Sequence, residues 1–322
     1  MQGKHLYSID MLRGLVALLV CLYHFTEGFF PEEHVFRFIF SKGYLGVEIF
    51  FVISGFVIPF TMYKSQYVHS KAQNFMLKRL IRIEPPYWCS IVLIFIIDYC
   101  ATFFKHYKDK EIDFEWTELL YHLLHINDFL GTPWLKGIYW SLAIEIQYYL
   151  LMAVIFPFLL FRKTWTATLV LFCFCMGRWI NADELVLYYG CHFATGIVLF
   201  NYYIGDLNTK QVWIGLFICF GLTFWCFDIY HLSAVVGSSI FILYFNKMIR
   251  PLVFLGKISY SFYLIHIQIG WTLMDVLRRT YPDSKLFQNL LISIAATIFA
   301  SWIFYIIIEK PSHRWAKKWD TD

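Results

Sequence analysis

The chain has 322 residues, of which 59% are apolar, 21% are Phe, Trp or Tyr, and only 16% are charged. A soluble domain is nearer half apolar and a quarter charged. The composition therefore excludes a water-soluble globule, and excludes more firmly a disordered or nucleic-acid-binding chain, since both need charge-rich sequence. The net charge of +4 comes from 27 basic and 23 acidic residues, which makes the placement of charges more informative than their sum.

A hydrocarbon core of about 30 Å is crossed by roughly 20 helical residues. Ten apolar blocks are candidates: 8–28, 44–63, 85–104, 138–161, 165–181, 187–204, 211–227, 230–246, 258–277 and 287–308. The runs are continuous and lack the alternation of a barrel strand, so helices are expected. The reading is an all-α polytopic membrane protein with about ten transmembrane helices, forming a single domain over residues 1–322. The first block carries Arg13 and no small-residue cleavage site, so it is expected to stay as a helix and not be removed as a signal peptide. With the N-terminus inside, the short cytoplasmic segments hold sixteen Lys and Arg against nine outside, and the outer 105–137 loop dilutes its bases with six acids. Both termini are therefore expected in the cytoplasm. The eight cysteines all fall in apolar blocks with no CxxC spacing, so neither a disulfide framework nor a metal site is expected.

Ionisable residues at membrane depth are costly and therefore informative. The first block holds Asp10, Arg13 and His24. Eleven helical steps leave Arg13 and His24 only about 20° apart around the axis and about 16 Å apart along it. Asp10 stands one turn before Arg13, close enough to neutralise it. Each residue alone has a plain reading, Arg13 snorkelling to the inner headgroups and His24 capping the outer end. Aligned on one face with room for a ligand between them, they point to function. Glu48, in GYLGVEIFFVISGF, lies near the outer end of the second block at about the depth of His24. A carboxylate there would orient the imidazole of a general base, or only anchor the helix. In FMLKRLIRIEPPYW, Arg79 and Arg82 share a helical face and suit phosphate oxygens, or simply set topology. The Pro85–Pro86 step is expected to end this amphipathic piece and start the next helix. Glu145, in WSLAIEIQYY, and His266, in SYSFYLIHIQIGW, lie deeper than an interface requires. Glu145 needs a cavity or a partner, and His266 is either that partner or a satisfied core histidine. Trp134, Tyr139 and Trp140 would stack on a sugar or form part of the interfacial aromatic belt.

Taken together these segments resemble the acyltransferase-3 family, integral membrane enzymes that O-acylate glycans. The resemblance rests on SIDMLRGLVALLVCLYHF at 8–25, GYLGVEIFFVISGF at 43–56, FMLKRLIRIEPPYW at 75–88, WSLAIEIQYYLL at 140–151, LGKISYSFYLIH at 255–266 and IIIEKP at 306–311. The family usually has Asp at the position of Glu48, and a stand-alone member without a fused esterase-like domain is expected. The resemblance implies a multi-pass enzyme of the cell (inner) membrane that takes acyl-CoA, most often acetyl-CoA, from the cytoplasm. Its acceptor would be a sugar hydroxyl on a lipid-linked or nascent surface polysaccharide. It implies that His24 is catalytic, that Arg13 supports it, and that Arg79 and Arg82 hold the CoA phosphates. Glu48 and Glu145 join the catalytic set on their depth, and Trp140, Tyr139 and His266 are assigned to the acceptor. The partners expected are acyl-CoA, the glycan and membrane lipid, with no nucleic acid. Rival readings are a flippase for a lipid-linked glycan with no acyl chemistry, and a succinyl- rather than acetyltransferase.

Overall fold

The computed structural model describes residues 7–103, 115–160, 171–180, 182–245, 247–281 and 285–320. Part of the 165–181 block, Lys4, Arg162, Lys163 and the charged residues from 105 to 113 lie outside the described residues. Among the described residues there is no strand. The helices are α1 (Tyr7–Phe29), α2 (Val35–Phe40), α3 (Gly46–Lys64), α4 (Ala72–Ala101), α5 (Trp116–Leu124), α6 (Asn127–Leu130), α7 (Trp140–Ile155) and α8 (Leu171–Ile180). They continue as α9 (Gly190–Ile204), α10 (Thr209–Cys226), α11 (Ile229–Tyr244), α12 (Arg250–Lys257), α13 (Ser259–His266), α14 (Thr272–Thr280), α15 (Leu286–Phe304) and α16 (Lys310–Lys317). Two π-helical turns, Ile267–Trp271 and Tyr305–Glu309, join α13 to α14 and α15 to α16.

Among the described residues six helices are long and apolar enough to cross a membrane, or seven if α12 and the helix from Ser259 to Thr280 count as one broken span. The expected spans at 187–204 and 230–246 appear as α9 and α11, of 15 and 16 residues. At 1.5 Å per residue each is about 24 Å long or less, short of a full hydrocarbon core. The proline step does not divide a helix as expected: α4 runs 30 residues through Pro85 and Pro86. Proline removes one backbone donor and loosens the preceding turn, and a membrane helix tolerates this when neighbours supply partners. Tyr260 Oη donates to the Ile83 carbonyl at 2.9 Å, just before the prolines.

The chain forms two compact units interleaved in sequence: Met1–Val16 with Leu45–Met76 and Ser141–Gly256, and Ala17–Tyr44 with Leu77–Trp140 and Lys257–Asp322. In the first unit α3 and α9 touch backbone to backbone. A Cβ on Gly55 would lie 2.2 Å from the Phe193 carbonyl oxygen, and one on Gly196 would lie 2.1 Å from that of Val52. Small residues permit such contact between membrane helices. Aromatic rings fill the space beside it, with Phe193 stacked on Tyr148 at 4.0 Å and on Phe51 at 4.9 Å.

In the second unit the 116–139 segment packs on its neighbours. It lies along the middle of α4: His125 bonds to Glu84, Tyr87 Oη donates to the His122 carbonyl, and Tyr139 Oη meets Ser90 Oγ. Glu84 precedes the end of α4 by 17 residues, or about 25 Å of helix. The helices of this segment, α5 and α6, have nine and four residues and are too short to cross a membrane.

Candidate active site

In the second unit, His24 on α1 faces His266 on α13, with ring centroids 5.3 Å apart. His24 is half-buried and His266 is buried. His266 Nδ1 lies 2.8 Å from the Tyr263 carbonyl, an oxygen that can only accept. Nδ1 therefore carries the proton, and Nε2 keeps its lone pair. Nearby, a directional chain holds Tyr139. Ser90 Oγ donates to the Tyr87 carbonyl at 2.7 Å, so Tyr139 Oη donates to Ser90 Oγ at 2.9 Å and accepts from Gln268 Nε2 at 2.8 Å. Tyr263 Oη donates to the Ile138 carbonyl at 2.7 Å, fixing the approach to Trp140, the half-buried first residue of α7.

The arginine cluster sits on α4 in the same unit. Arg79 is buried. Arg82 donates from Nε to His313 Nε2 at 3.1 Å, which lies 3.6 Å from Glu309 Oε1. Glu309 Oε2 in turn accepts from the Ser261 amide and hydroxyl at 3.1 and 2.5 Å. Two residues beyond Arg82, Glu84 bonds His125 Nε2 at 3.0 Å, with the Tyr87 ring 4.7 Å from that imidazole. A groove of ≈ 620 Å³ between Trp88, Ile91 and Phe95 of α4 and Trp116, Leu119 and Leu123 of α5 is lined by aliphatic and aromatic side chains.

In the first unit, Arg13 is half-buried on α1. Glu48 is buried, with Oε1 3.6 Å from His231 Nε2, while His231 Nδ1 lies 2.9 Å from Asp228 Oδ1. The buried His192 ring is 6.0 Å from His231. Asp228 also caps α11, accepting from the Tyr230 and His231 amides at 2.8 and 2.9 Å. Slight burial raises the Asp228 carboxyl, but the hydrogen bonds from His231 and from the two amides outweigh it and leave the carboxyl below its ordinary value. Glu145 accepts from Tyr149 Oη one turn on. Among the described residues no three His, Cys, Asp or Glu side chains are grouped to hold a metal ion.

The sequence match that decides the family runs through both units: an acyltransferase-3 model, described as an acyltransferase domain, matches residues 6–307. The chain belongs to the acyltransferase-3 family. Proteins of Staphylococcus aureus strains COL and N315 that carry the name O-acetyltransferase are 24% identical over 368 residues, covering 96% of this chain and 57% of their own length. The O-acetyltransferase OatA of S. aureus strain NCTC 8325 is 28% identical over 227 residues, covering 67% of this chain and 35% of its own. The chain thus spans little more than half the length of the first two relatives and about a third of OatA. No solved structure matches it. Within the acyltransferase-3 frame, the structure brings His24 to His266 and Arg82 to His313 and Glu309. It gives Glu48 and Glu145 the neighbours His231 and Tyr149. Sequence reading missed His125, His192, His231, Glu309 and His313, although the mid-helix acids of RIEPPYW and IIIEKP were a visible signal for two of these groupings.

Proposed function

We propose that this acyltransferase-3 protein works as a single domain over residues 1–322 in the cell (inner) membrane. It moves an acyl group, most often acetyl, from cytoplasmic acyl-CoA to a sugar hydroxyl of a cell-surface or lipid-linked polysaccharide. The observation that carries the reading is the histidine pair, His24 against His266, in a chain whose α4 presents Arg79 and Arg82. In this reading Arg79 and Arg82 hold the CoA phosphates, for which guanidinium forks are well matched. Arg13, on the helix that carries His24, attracts the same anionic donor. His24 accepts the hydroxyl proton as the sugar oxygen attacks the thioester carbonyl. Glu48 and Glu145, on α3 and α7, complete the catalytic set, and Tyr139, Trp140 and His266 border the acceptor. The names of the staphylococcal relatives support acetyl as the group transferred.

The test is thiol release from acetyl-CoA by the protein in lipid nanodiscs, with and without cell-envelope glycan. Wild type is expected to release thiol only when glycan is present, and His24→Ala to lower that rate by about 100-fold or more. An active His24→Ala protein removes His24 from the mechanism. Glycan movement without acetyl-CoA binding would favour a flippase.

A further inference from the structure

His266 ends α13, and the π-helical turn Ile267–Trp271 begins at the next residue. Such turns concentrate at functional sites because the extra residue re-aims the side chains around it. This one is packed tightly. A Cβ on Gly270 would lie 2.1 Å from Thr297 Oγ1 and 2.3 Å from the Phe25 ring. Phe25 adjoins His24 in α1, so the turn that follows His266 also seats the residue beside His24.

The imidazole itself is set in one tautomer. Its Nδ1 proton is committed to the Tyr263 carbonyl. Nε2 is buried and has no hydrogen-bond partner among the described residues, in a side chain only 1% exposed. A buried acceptor left unpaired is costly, and a lone pair held in fixed orientation beside a second imidazole is arranged to receive a proton.

The geometry points to His266 as the residue that relieves His24 of the acceptor hydroxyl's proton and returns it through His24 for the leaving thiolate. This rests on the acyl-CoA-to-sugar reading above. The hydroxyl oxygen bonds to the acyl carbon while its proton passes to His24 and from that ring to His266 Nε2. The carbon–sulfur bond breaks with its electron pair staying on sulfur. The proton then moves from the His266 imidazolium through the adjacent His24 ring to the CoA thiolate, so both histidines end neutral and no other reactant is needed. The titratable groups facing His266 among the described residues are His24 on α1 and Tyr263 on its own helix. An acid limb in the rate profile therefore belongs to the imidazole pair.

The test uses full-length protein in nanodiscs with acetyl-CoA and cell-envelope glycan, comparing wild type with His266→Asn and His266→Gln. Asn retains a donor for the Tyr263 carbonyl, and Gln retains an acceptor near the place of Nε2. Acetyl-CoA binding and melting temperature are expected to stay near wild type in at least one variant. Its glycan-dependent turnover is expected to fall by about 100-fold or more, and the acid limb of its rate profile to differ from that of wild type. A folded variant that keeps more than about a tenth of the wild-type rate, or an unchanged acid limb, overturns the assignment. So does failure of both variants to fold, which would make the residue structural. Wild type with no glycan-dependent thiol release would instead defeat the acyl-transfer reading, and the assignment with it.

Discussion

Arg82 is anchored through Nε, the inner nitrogen of its guanidinium, onto His313 Nε2. An anchor there leaves the two terminal nitrogens as the end of the fork that meets a ligand. It also requires His313 to keep Nε2 unprotonated, and Ser261 holds the nearby Glu309 carboxylate through two hydrogen bonds. The guanidinium is thus presented by a buried scaffold and not left as a free surface charge. Hydrogen bonds to charged groups contribute about 1.5–3 kcal/mol each. Arg79→Ala combined with Arg82→Ala is therefore expected to weaken acyl-CoA binding by about 100-fold or more and to flatten its dependence on salt. Equilibrium binding of acetyl-CoA at low and high ionic strength checks this, and equal affinities would return the pair to setting topology alone. Sequence spacing made the two arginines visible because three residues is one helical turn. It could not show His313, which reaches Arg82 across 231 positions.

At the scale of whole helices, long apolar blocks were legible because hydropathy is a local property, and α1, α3, α4, α7, α10 and α15 stand where those blocks lie. What was hidden depends on contacts between distant segments. The 116–139 segment is short-helical and acid-bearing, so it reads as a loop. Its place beside α4 follows from pairings such as Glu84 with His125, which leave no periodic trace. His125 itself adopts φ 56°, the left-handed C-cap of α5, and only the turn seen in three dimensions explains it. Likewise Gly55 stands plainly in the sequence, but its counterpart Gly196 becomes evident only when α3 lies on α9. Because each glycine leaves no room for a side chain, Gly196→Val is expected to push the helices apart. Overpacking of this kind typically destabilises by about 1–3 kcal/mol. Thermal melting in detergent should show the loss, and Gly221→Val, at an exposed position with open space around its α-carbon, should melt like wild type. Equal melting of the two variants would mean that α3 and α9 can separate at little cost.

At the scale of the whole molecule, the proposed activity and the proposed orientation stand or fall together. Acyl-CoA is a cytoplasmic donor, so the arginines of α4 must open toward the cytoplasm. The excess of Lys and Arg in the segments expected to be cytoplasmic favours that orientation independently of any site. Ser70, between α3 and α4, and Glu32, between α1 and α2, are both exposed, and the orientation puts them on opposite sides of the membrane. Cys100 and Cys173 are the exposed native thiols among the described residues, so both are first replaced by Ser. In intact cells a membrane-impermeant maleimide is then expected to label Glu32→Cys, and to label Ser70→Cys only after permeabilisation. The reverse pattern would put Arg79 and Arg82 on the side where acyl-CoA is absent. The donor assignment would then fail even if His24 and His266 proved essential, because a histidine pair can move a proton for any acyl donor, whereas the arginines give a reason for that donor to be CoA.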